Sequence, residues 1–156
     1  MNHIVKIRRY TKADIPAMVK HLEAGLSGFH YANISFDADK VTDLLVGNIR
    51  NPSFFCNLVV DDQGEIGGGL YATICEFMFS REVYSEHHIT YIREGHRSLK
   101  AITGLVSSYK SWAVSRGVRQ IRWGQSTGFK MEKFAVLAKR LGFTQIGTNW
   151  SLEIKE

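Results

Sequence analysis

Between residues 84 and 124 the spacing of apolar side chains changes twice, and this change constrains the fold more than any other feature of the chain. Tyr84 to Ile92 (Tyr-Ser-Glu-His-His-Ile-Thr-Tyr-Ile) reads as a strand. Leu99, Ile102, Leu105, Val106, Tyr109, Trp112 and Ala113 then recur three, three, one, three, three and one residues apart, the stripe of a helix ending near Gly117. Val118 to Gly124 is β-rich again. A tight turn cannot join two strands across so long a helix, so the unit must cross over and return parallel.

The remaining elements arrange themselves around that unit. Residues 3–9 alternate enough (Ile4, Val5, Ile7) for a first strand. Thr11 stands three residues before Asp14, and Ile15, Met18, Val19 and Leu22 follow at helical spacing, which predicts a capped helix closing near Gly25. Residues 26–36 have no period and read as a loop carrying Phe29, Tyr31 and Phe36. Asp37 can cap a second helix with Val41, Leu44, Leu45 and Ile49 on one face, ended before Pro52. Phe54–Val60 and Ile66–Phe79 predict a hairpin around the turn Asp61–Glu65. Phe134, Leu137, Ala138 and Leu141 mark a last helix stopped by Gly142, and Phe143–Ile154 reads as a final strand. The order β-α-α-β-β-β-α-β-α-β predicts an α/β fold, one domain over residues 1–156, with a mixed sheet and helices on both faces.

Composition excludes several classes. The 156 residues, 44% hydrophobic and 22% charged, suffice for one buried core without staples. No apolar run approaches the ~18 residues of a membrane span, and the first residues lack the apolar stretch of a signal peptide. Cys56 and Cys75 make no disulfide framework and have no metal-ligand spacing. The expectation is a cytoplasmic protein without a membrane partner or metal. Charge is more specific: residues 93–140 carry eleven basic and two acidic side chains, within a chain of net charge +5. That asymmetry suits a polyanionic partner, either nucleic acid or a cofactor with several phosphates, as well as a solvated basic helix face.

The junction Ile92-Arg93-Glu94-Gly95-His96-Arg97-Ser98-Leu99-Lys100-Ala101-Ile102 ends a strand and opens the long helix, where unpaired amides and a positive dipole suit a phosphate. Arg97 and Lys100 in that first turn are unfavourable for the helix alone. Here the chain resembles the GCN5-related N-acetyltransferase superfamily, over nearly its whole length. Arg140-Leu141-Gly142-Phe143-Thr144-Gln145-Ile146-Gly147 is similar to the family's K-L-G-F-x-x-x-G, and Ala113-Val114-Ser115-Arg116-Gly117-Val118-Arg119-Gln120-Ile121 resembles A-x-x-x-G-x-x-x-I. Glu94-Gly95-His96-Arg97 resembles the opening of the family's pyrophosphate loop, and the chain looks like divergent members carried by bacteriophages.

The resemblance implies acetyl-CoA as cofactor, its pyrophosphate on the backbone of Arg97, Ser98, Leu99, Lys100, Ala101 and Ile102, beside the strand end Tyr91-Ile92. Ser126, after the fifth strand, could bind pantetheine or substrate, or belong to an ordinary Gln-Ser-Thr-Gly loop. The resemblance also implies departures. Lys100 and Ile102 stand where the loop has glycines, Ala138 where a tyrosine acid is common, and Met131 where an asparagine opens the last helix. Counting back from Arg97, Glu86 falls where some members carry a general base, with His88 two residues on along the same strand face and His87 on the other. Either Glu86 or His88 could take the amine proton. Imidazole has the nearer ordinary pKa, whereas a carboxyl would need burial to raise its own. Cys75 has no evident base and reads as an inert buried thiol, and Gly67-Gly68-Gly69 as a place of close approach or a bulge. The leading expectation is N-acyl transfer from acetyl-CoA to a primary amine of a small molecule, a protein or a modified base. The alternatives are a binding protein on a degenerate acetyltransferase scaffold, host-targeting or virion-associated, and a nucleic-acid binder or modifier using the basic 93–140 surface.

Overall fold

A computed structural model describes residues 5–27, 31–125 and 130–154. Its elements are β1 (Lys6–Arg9), α1 (Ile15–Leu26, entered through a 3-10 turn at Lys12–Asp14), α2 (Ala38–Asn48), β2 (Phe54–Val60), β3 (Ile66–Glu76) and β4 (Val83–Ile92). A second 3-10 turn at Glu94–His96 leads to α3 (Leu99–Ser115), β5 (Gln120–Arg122) and α4 (Met131–Arg140). The strands form one five-stranded sheet in the order β1-β2-β3-β4-β5, antiparallel except for the parallel pair β4 and β5. The crossover read from the helical stripe is therefore present, with α3 carrying the chain between the parallel strands.

Alternation along β2 divides the core. Phe54, Cys56, Leu58 and Val60 point toward α1 and α2, joining Met18, Leu22 and Leu45. Phe55 and Val59 point the other way, onto Leu105, Val106 and Tyr109 of α3. A strand buried on both faces must read as a continuous apolar run, as β2 does. Helices thus cover both faces, in agreement with the expected fold class.

The local signals act as the chain chemistry requires. The Asp37 carboxylate accepts from the Lys40 amide at 2.9 Å and caps α2, while the Ser98 hydroxyl accepts from the Ala101 amide at 3.0 Å and caps α3. Gly142, at φ +86°, takes the left-handed conformation that stops α4.

The final strand is a correction. Residues 143–154 form neither strand nor helix, and Ile146, Trp150, Leu152 and Ile154 are 71, 92, 84 and 82% exposed. Alternation says which side chains would share a face, but a strand also needs a neighbour, and β5 offers an edge only three residues long. Among the described residues the order is β-α-α-β-β-β-α-β-α. Phe29 lies outside them, whereas Phe36 packs on the core beneath α1 and α2 and Tyr31 is 37% exposed. No described helix is long and apolar enough to cross a membrane.

Candidate active site

The site begins with a register fault. Ala72 of β3 pairs with His87 and Tyr71 with Ile89, so His88 is an extra residue on β4, a bulge. On its other edge β4 pairs with β5 only at Tyr84, Ser85 and Glu86. Pairing therefore ends two residues before the bulge, and the two parallel strands separate there.

The bulge also decides which side chains meet. Glu86 lies opposite Thr73, and paired residues share a face. Thr73 and His88 both line a cavity beneath α1 and α2, their Oγ1 and Nε2 atoms 2.7 Å apart, with His88 exposed at its rim. The Glu86 carboxylate is 3.5 Å from Arg122, whose guanidinium lies 3.9 Å over the Tyr84 ring. His87 faces α3 instead: its Nε2 is 2.7 Å from the Thr90 hydroxyl, which also accepts from the Trp123 indole at 3.1 Å. Burial pushes the His87 imidazole down to about 4, so it is neutral near pH 7. The expected division, Glu86 and His88 on one face with His87 on the other, is what the structure has.

The cavity measures about 330 Å³. Leu22, Leu45, Phe54 and Tyr71 form its buried floor, and Leu44 and His88 stand at its rim. Burial raises the Tyr71 phenol well above its ordinary value.

At the start of α3 the cap occupies the Ala101 amide, and the Ser98 carbonyl accepts from the Ile102 amide at 3.3 Å. The amides of Leu99 and Lys100 have no partner among the described residues. Arg97 and Lys100 are exposed beside them, with Arg97 Nε donating to the Ile92 carbonyl at 3.0 Å. Ile102 packs against the α3-side core, as does Ile92. Ala101 is fully buried. The Tyr91 side chain is turned toward α1, its ring 6.1 Å from that of His21. Ser126 lies outside the described residues. Ala138 and Met131 sit within α4, Ala138 accepting from the Phe143 amide and Met131 exposed.

A strap that sequence reasoning missed holds this corner. Asp61 Oδ1 accepts from the Glu65 amide at 2.8 Å and the Gln63 amide at 3.0 Å, and its Oδ2 meets His96 Nε2 at 3.2 Å. Glu65 pairs with Arg93 at 2.5 Å, and the Arg93 amide donates to Gly67 at 2.8 Å. The β2–β3 turn is thus tied to the turn before α3. The Glu65 amide above all, then His96, holds the Asp61 carboxyl below its ordinary value. Asp61, Glu65 and His96 place three potential metal-ligand atoms within 4.8 Å of one another, but each of these side chains is already engaged in the strap. The glycine run was the visible signal. A Cβ on Gly67 would lie 2.5 Å from the His96 ring, and one on Gly68 2.1 Å from the Tyr91 carbonyl. The close approach is therefore by the protein's own atoms, and the register shift between Val59 and Val60 supplies the bulge. Cys75 is half-buried rather than buried, 3.9 Å from the Thr73 hydroxyl.

No family model and no curated protein sequence matches the chain. Solved structures do. An acetyltransferase from Trypanosoma brucei superposes with a TM-score of 0.75 at 12% identity, covering 97% of this chain and 100% of its own. Glucosamine-6-phosphate N-acetyltransferase from Arabidopsis thaliana gives 0.75 at 13% identity, covering 97% and 99%. An aminoglycoside acetyltransferase from an uncultured soil metagenomic sample, solved with sisomicin, gives 0.70 at 16% identity, covering 97% of each chain. At such identities the likeness establishes architecture, and the chain has the fold of the GCN5-related N-acetyltransferases.

Proposed function

We propose that the chain is an acetyl-CoA-dependent N-acyltransferase acting on a primary amine by direct attack on the thioester. The observation that carries this reading is a coincidence along one short stretch of β4. Pairing with β5 ends after Glu86, the bulge sets His88 apart, and the apolar cavity has His88 at its rim. The residues present fit the cofactor. The amides of Leu99 and Lys100, without a partner among the described residues, lie beside the exposed cations Arg97 and Lys100, and Ile102 packs partly buried against the core.

Acetyl-CoA, when bound, supplies an acyl group already activated as a thioester. Arg97, Lys100 and the amides of Leu99 and Lys100 would hold its phosphates, with the strand end Tyr91–Ile92 alongside. His88 would accept the ammonium proton, directly or through water, freeing the nitrogen lone pair for attack. Thr73, 2.7 Å from His88 Nε2, fixes the ring. Glu86, beside Arg122 and more than a third exposed, is the second candidate base. Ala138 offers no proton for the departing thiolate, so a base is provided here without the usual acid and water would supply that proton. Orientation of amine and acyl group would supply most of the rate.

Release of free thiol from acetyl-CoA in the presence of primary amines tests the assignment. His88→Gln should lower kcat by about 100-fold or more, the usual contribution of a positioned base, and Glu86→Gln by less than about tenfold. Full activity in the double variant would remove both residues from the mechanism.

A further inference from the structure

The cavity beneath α1 and α2 carries information about the acceptor. Its lining comes from both helices, the loop between them and three strands, and among the described residues it contains no Asp, Glu, Lys or Arg. Its polar side groups are Asn48, Tyr71, Thr73 and His88. Asn48 is committed to the Leu44 carbonyl at 2.8 Å, and Thr73 and His88 are committed to each other at the end nearest the divergence of β4 and β5. The rest is hydrocarbon and aromatic surface.

We infer that the acceptor is an apolar monoamine, its hydrocarbon body seated between α1, α2 and the sheet and its single nitrogen at His88. The inference rests on the acyltransferase reading and deepens it. A second ammonium or a phosphate on the body would be buried without a counter-charge, which an apolar site strongly disfavours. Aminoglycosides and sugar phosphates, the ligands and substrates named for neighbouring structures, would lack ionic partners in this cavity. At roughly 30 Å³ for each water-sized volume, 330 Å³ holds about ten non-hydrogen atoms, the size of a six- to nine-carbon alkyl or arylalkyl amine. The amine would enter with its ammonium outward, toward His88 at the rim, where water also reaches it.

A matched pair of substrates provides the test: hexylamine and hexane-1,6-diamine, equal in carbon chain and differing in one terminal ammonium. With the full chain and saturating acetyl-CoA, kcat/KM for hexylamine should exceed that for the diamine by at least 50-fold. Leu44→Glu, which places a carboxylate at the half-exposed rim and so gives a second ammonium a counter-charge, should narrow that discrimination at least tenfold and leave the acetyl-CoA-dependent rise in melting temperature unchanged. Equal use of both amines, with no response to Leu44→Glu, would overturn the inference while leaving acyl transfer intact. If no amine is turned over and acetyl-CoA gives no thermal shift, the acyltransferase reading fails. Calorimetric titration then decides the cavity separately: hexylamine binding at least tenfold tighter than hexane-1,6-diamine sustains an apolar-amine site, and no heat from hexylamine at millimolar concentration ends it.

Discussion

Asp14 receives both terminal nitrogens of Arg8 at 2.8 Å, together with the amide of Thr11 at 2.7 Å and its hydroxyl at 2.9 Å. Arg8 above all holds its carboxyl down to about 2, against an ordinary value of 3.8. A depressed carboxyl stabilises the fold fully above the unfolded value and loses that contribution as pH falls through the folded one. Asp14→Asn should therefore cost about 1–2 kcal/mol near pH 7, a figure reduced because Arg8 is 40% exposed. Urea denaturation across pH should show the gap between the two proteins constant above about pH 5 and closing from pH 4 toward 2. His87, depressed to about 4 by burial, titrates in both proteins and cancels. A gap that persisted at pH 2 would show that Asp14 acts through its shape rather than its charge.

At the scale of elements, the glycine run on β3 makes a sharper prediction. Gly67→Ala should destabilise by about 1–3 kcal/mol, because its methyl would lie 2.5 Å from the His96 ring. His96→Gly, which also removes the Cβ that would stand 2.6 Å away, should recover part of that loss in the same chain, a coupling readable in a double-mutant cycle. Gly68→Ala meets the Tyr91 carbonyl at 2.1 Å, so no side-chain change at position 96 should rescue it. Equal rescue of both would mean that the two alanines act through a general weakening of β3. These elements also show what sequence can carry. The α3 stripe and the Asp37 cap were legible because helix periodicity and capping are local. The His88 bulge was not, because register belongs to two strands at once and no spacing within β4 records it. The Asp61–His96 strap spans 35 residues and left only the glycines as its trace. Phe143–Ile154 was read wrongly as a strand, since its apolar side chains are left exposed and a sheet edge, not apolar content, makes a strand. Glu86 and His88 came from a count along the chain, and they share a face because alternation is unbroken from Glu86 to His88, the bulge changing the register only beyond His87.

For the whole molecule, the excess of basic residues over 93–140 is partly spent within the chain. Arg93 pairs with Glu65, Arg119 with Glu82 and Arg122 with Glu86. Arg97 and Lys100 remain exposed at the start of α3 without an acidic partner among the described residues, which leaves a positive corner where β4 has parted from β5. A cofactor held there by phosphates should bind less tightly as salt rises, so the acetyl-CoA affinity at 0.5 M salt should be several-fold below that at 0.05 M. Unchanged affinity would locate the binding energy elsewhere. The most direct measurement is the melting temperature with and without acetyl-CoA. At a hundredfold excess over its dissociation constant a native-state ligand adds about 2.7 kcal/mol, which for a chain of this size is a rise of about 5–10 °C. The account predicts that rise for the unaltered protein and its loss when Arg97→Glu and Lys100→Glu are combined. No rise at millimolar acetyl-CoA, or a full rise in the double variant, would contradict it.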